Sequence, residues 1–104
     1  MTTFSQSGKA FPEVISADLK MLDYQQIDDL SAAVGLSGLP AATVEALIIC
    51  SVADVRWLAT GDDPTSSLGM PLAAGDSIVI RGTSALEAFK AIGTGATLDI
   101  AYWG

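Results

Sequence analysis

A chain of 104 residues holds one compact domain with one core, and here half the residues are apolar, only 16% are charged (against a usual ~25%) and mean hydropathy is +0.45. Twelve acids against five bases give a net charge of −7, which argues against nucleic-acid binding because that needs a basic footprint. There is no histidine, which removes every Ser-His and Cys-His catalytic arrangement and most transition-metal sites, so an enzyme is not expected.

Residues 1–13 read as an extended N-terminal arm. They are polar, are broken by Pro12, and offer only Phe4 and Phe11 as anchors. A frayed terminus and an arm that docks on a neighbour both fit. The stretch has no apolar centre and does not read as a secretory signal. Residues 14–104 read as a single β domain. Within 14–34 a helical stripe (Leu19, Leu22, Ile27, Leu30, Val34) competes with broken strand alternation. We expect short strands through about Ile27, then a helical turn capped by Asp28 or Asp29, carrying Leu30 to Val34 and stopped by Gly35.

After the turn at Gly38-Leu39-Pro40, the β-branched, apolar stretch 43–51 predicts a buried strand. A tight turn over 52–54 leads into a second strand at 55–59. Residues 60–75 read as one long loop with Pro64 and Pro71. A third strand follows at 76–81, and 86–92 fits a strand or a helical turn. Gly93-Thr94-Gly95 reads as a hairpin-like connection. The last strand, 96–103, alternates so that Leu98, Ile100 and Tyr102 face inward. Several short strands at close spacing predict an all-β fold: a small β-sandwich or a jelly-roll-like barrel, with at most one or two short helical turns.

The candidate chemistry is sparse, and no cofactor is expected. Asp62-Asp63 offers oxygen ligands for Ca²⁺, but the spaced acids of an EF-hand loop are missing and a β-turn accounts for Gly61-Asp62-Asp63-Pro64 better. Cys50, the single cysteine, follows Leu47-Ile48-Ile49 and reads as a buried, inert thiol. The residues best suited to meet a partner are Phe4, Phe11, Arg56, Trp57, Arg81 and Trp103. The arginines invite interchain ion pairs, or simply lay their stems on apolar surface. The tryptophans read as core or interface packing, with a carbohydrate-stacking platform as the alternative.

From Val55 onward an ordered set of motifs stands out: Val55-Arg56-Trp57, Gly61-Asp62-Asp63-Pro64-Thr65, Gly69-Met70-Pro71-Leu72 and Ala74-Gly75-Asp76. Leu86-Glu87-Ala88-Phe89-Lys90-Ala91-Ile92 and Ala96-Thr97-Leu98-Asp99-Ile100-Ala101-Tyr102-Trp103 complete it. With Leu30-Ser31-Ala32-Ala33 and Leu39-Pro40-Ala41 upstream, the set resembles small virion structural proteins of tailed bacteriophages and prophages over about residues 28–104. Lys90 stands where that pattern has arginine, and Trp103 where it has tyrosine. The resemblance implies a non-catalytic virion component made in the host cytoplasm. Within that class the surplus of apolar residues, the arm with Phe4 and Phe11 and the net negative charge favour a capsid decoration or cement protein on the capsid exterior, bound to the major capsid protein as a homo-oligomer, with a trimer favoured. A tail, collar or fibre-associated protein and a carbohydrate-binding β-module are the alternatives.

Overall fold

Glu-Ala-Leu-Ile-Ile-Cys-Ser forms the strand around which the domain is built. Ala46, Ile48 and Cys50 on its inner face are fully buried, and Leu98, Ile100 and Tyr102 on the neighbouring strand are equally so. A computed structural model describes residues 19–104. Phe4, Phe11, the arm over 1–13 and the start of the β domain at 14 lie outside the described residues.

The strands are β1 (Met21–Ile27), β2 (Val34–Gly35), β3 (Glu45–Ser51), β4 (Val55–Leu58), β5 (Met70–Leu72), β6 (Ser77–Arg81), β7 (Lys90–Ile92) and β8 (Thr97–Trp103). One helix, α1 (Thr83–Ala88), lies between β6 and β7. Two antiparallel four-stranded sheets result, ordered β1-β8-β3-β6 (sheet A) and β2-β7-β4-β5 (sheet B). Both contribute inward side chains to one core: Ile48, Leu98 and Ile100 from sheet A, Val55, Leu72 and Ala91 from sheet B. The pairs β1·β8, β2·β7, β3·β6 and β4·β5 are those of one long hairpin rolled up on itself. This is the strand order of a jelly roll. The fold is the expected small β-sandwich, and the strand order selects the jelly roll from the two forms the sequence left open.

Every connection except β4–β5 passes from one sheet to the other. The tight corners are therefore sheet switches. At 52–54 Val52 takes φ 75°, and Asp54 accepts the N–H of Ala74 at 2.9 Å, tying this corner to the one before β6. Gly93-Thr94-Gly95 is a tight turn, with Ala96 N–H on Gly93 O, but not a hairpin: β7 and β8 lie in different sheets. Gly93 also gives its N–H to Leu30 O at 2.8 Å, and a Cβ on it would stand 2.5 Å from Asp54 O. Three corners converge there, which leaves no room for a side chain.

Three further expectations need correction. No helical turn runs from Asp29 to Val34. Asp29 does bind locally, taking the N–H and O–H of Ser31, but this makes an Asx-type turn, while Leu30 is drawn into the core and Val34 pairs with Ala91. The long loop after β4 holds an edge strand, β5, whose Leu72 is buried against Val55. Segment 86–92 is both helix and strand, divided at Phe89, which leaves α1 with extended backbone (φ −66°, ψ 133°). Six residues without a side-chain cap do not make a stable helix alone. Burial of Leu86 and Phe89 holds it, each worth about 2–3 kcal/mol.

Candidate interaction surface

Cross-strand register shows what the outer face of sheet A presents. Tyr24 stands opposite Ala101, Ala101 opposite Leu47, and Leu47 opposite Val79. This row crosses all four strands. Tyr24, Val79 and the adjacent Ile49 are exposed, as is Met21 at the end of β1. Tyr24, Leu47, Ile49 and Ala101 line a shallow hollow of about 100 Å³. In the ladder positions of this face the only charged groups are Glu45, Arg81 and Asp99. Arg81 Nε lies 3.3 Å from Glu45 Oε1, so that pair is internally neutralised.

Asp99 is held as well. Tyr24 donates its O–H to Asp99 Oδ1 at 2.6 Å, and the Gln26 amide donates at 2.9 Å. The tyrosine bond, then the glutamine bond, keeps the Asp99 carboxyl below the usual carboxylate value, and the same bond to Asp99 raises the Tyr24 phenol. A face that is apolar, low in net charge and internally hydrogen-bonded, in a chain of net charge −7, has the composition of an interface core rather than of solvated surface.

The residues singled out from sequence divide between the two sheets. Arg81 on β6 and Trp103 on β8 both stand opposite Glu45 and share the outer face of sheet A. Arg56 and Trp57 are neighbours on β4 in sheet B and therefore point to opposite sides. Trp57 packs against the core and stacks on Phe89, centroids 5.8 Å apart and planes 27° apart. Arg56 faces outward beside Pro71 and Ile92 and donates from Nη1 to Gly69 O at 2.8 Å, at the rim of a hollow of about 430 Å³ that Asp54 also lines. Cys50 is buried; its thiol sits 3.1 Å from Ala53 O, and desolvation, then the charges of Asp54 and Asp76, raises its pKa. Asp62 accepts from Thr60 Oγ1 and Asp63 pairs with Lys90 Nζ at 2.8 Å, so both acids serve the β4–β5 loop.

Tyr24 reads from sequence, like the tryptophans, as core or interface packing; Leu47, Ile49 and Val79 were missed. A signal for them existed: β3 and the centre of β6 are apolar on consecutive positions, which is the pattern of a strand covered on both faces.

Among the described residues no helix is long and apolar enough to cross a membrane, and no three Cys, Asp or Glu side chains gather as a metal site. Comparison with protein-family models, curated proteins and solved structures finds no match.

Proposed function

We propose that this protein is a structural component of a tailed-phage virion, and within that class a capsid decoration protein that braces neighbouring capsid subunits. The apolar row across the outer face of sheet A is the observation that supports this reading. It is a broad apolar surface spanning four paired strands, suited to burial against another protein. The ordered motif resemblance over about residues 28–104 names the kind of assembly. Among the described residues the acids sit largely in turns and at strand ends, where they keep the remaining surface solvated. A protein that binds only the expanded shell stabilises that shell by mass action, with no chemistry required.

Co-sedimentation with expanded and unexpanded capsids of the encoding phage tests this. The decoration reading expects binding to the expanded shell alone. Binding to isolated tails instead would move the protein to the tail or collar, and binding to neither would remove it from the virion.

A further inference from the structure

A jelly roll leaves four sheet edges, and three of them are blunted here. β2 has only two residues. β5 carries Pro71, which has no N–H to offer. β1 is bulged between Met21 and Asp23. Gly104 and Lys20 exchange hydrogen bonds, which sets the even residues of β8 toward β1 and leaves Tyr24 N–H on the open side. The Asp23 carboxylate already accepts that N–H at 2.8 Å.

β6 has no such device. Gly82 N–H on Val44 O at 2.7 Å and Cys50 N–H on Asp76 O at 2.9 Å fix the ladder to β3. The register then turns Ile78 and Ile80 toward β3, and the N–H and C=O groups of Ser77, Val79 and Arg81 toward the open side. No strand among the described residues pairs with that side. The edge Ser-Ile-Val-Ile-Arg is β-branched and carries no proline and no acid. An open, apolar edge without proline or bulge is a template for pairing with another strand.

We propose that two copies of this chain join β6 to β6 about a twofold axis at Val79, making one eight-stranded sheet from the two A sheets. The other three edges being blunted, the edge a second copy can present to β6 is its own β6. The contact therefore closes as a dimer and does not propagate as a fibre. In this register Val79 faces Val79 of the second copy, and Arg81 faces Ser77, so no like charges meet directly. The apolar row Tyr24–Ala101–Leu47–Val79 continues across the axis into its symmetry mate, giving a band ~38 Å wide at the ~4.8 Å strand spacing. In place of the threefold assembly expected from sequence, this pairing is twofold. It does not rest on the virion reading, though it doubles the surface that reading uses.

Sedimentation of the full chain at micromolar concentration tests it, with Val79→Lys and Val79→Cys as variants. The expected mass is twice the 10.7 kDa of the chain. Val79 is 46% exposed, so V79K should retain the strand content seen by circular dichroism. It places two lysines face to face, and the dissociation constant should rise at least ~10-fold. Mild oxidation should crosslink V79C into a covalent dimer, while V52C, at an exposed corner, should not crosslink; the native Cys50 is buried and does not compete. A monomer, a trimer, an unshifted V79K dissociation constant or V79C that fails to crosslink would each overturn the pairing.

Discussion

Val52 shows how much a single residue can carry in a fold made of corners. It is a β-branched residue at φ 75°, where the branched side chain crowds the backbone, and it is 79% exposed, so little packing compensates. The chain adopts this conformation because β3 and β4 belong to different sheets and only three residues separate them. Asparagine tolerates the left-handed region far better. Val52→Asn should therefore raise stability by about 1 kcal/mol, or roughly 4–8 °C in Tm. An unchanged or lower melting temperature would show that the corner is not strained. Gly93 is the converse case: crowding from Asp54 O and Val55, rather than backbone conformation, excludes a side chain.

At the level of elements, the β-strands whose inner faces read clearly are also the central ones. β8 alternates as expected, and β3 is the expected apolar strand, because both are flanked on two sides by other strands and bury their inner faces. The weak elements depend on neighbours. β2 exists because Val34 meets Ala91, β5 because Leu72 is buried against Val55, and α1 because Leu86 and Phe89 enter the core. Phe89 is the joint between α1 and β7 and also stacks on Trp57. Phe89→Ala should cost about 3–5 kcal/mol by denaturant titration and should change Trp57 fluorescence in the native baseline. A loss below about 1 kcal/mol would mean that the aromatic pair is dispensable to the core.

For the whole molecule, the β1·β8 pairing joins segments some 75 residues apart, and the bond from Tyr24 to Asp99 spans it. Asp99 has a lowered pKa, so its contribution is present above the ordinary value of 3.8 and is lost as pH falls through the lower folded value. Tyr24 has a raised pKa, so its contribution is present below 10.0 and is lost as pH rises through the higher folded value. Tyr24→Phe removes the tyrosine's contribution and the larger part of Asp99's, the Gln26 bond remaining. Urea midpoints of wild type and Y24F should differ most between these limits and converge in acid and in strong alkali. A difference that stays constant with pH would assign the effect to packing of the ring. Both groups are solvent-exposed, so the difference should shrink at high salt.

The sheet class, the strands β3, β6 and β8, the inward set Leu98, Ile100 and Tyr102, and the burial of Cys50 were all legible in the chain. Each rests on a local signal, the alternation of β8 or the β-branched apolar runs of β3 and β6, that does not depend on which strand pairs with which. Leu30 was read into a helical stripe although it enters the core through a turn, because a stripe of that spacing and a sheet-to-sheet crossover share the same residues. β5 was hidden because a three-residue edge strand containing Pro71 has no local pattern of its own. The candidate surface on sheet A was legible only in part. Arg81 and Trp103 lie on it, whereas Arg56 and Trp57, adjacent to each other in the chain, fall in the other sheet. Placing Tyr24, Ala101, Leu47 and Val79 in one row requires register between four strands, and register is a property of pairing. The residues carry their own preference for strand and for burial; which strands meet, and which edge is left open, follows from the way the long hairpin rolls up to cover a single core.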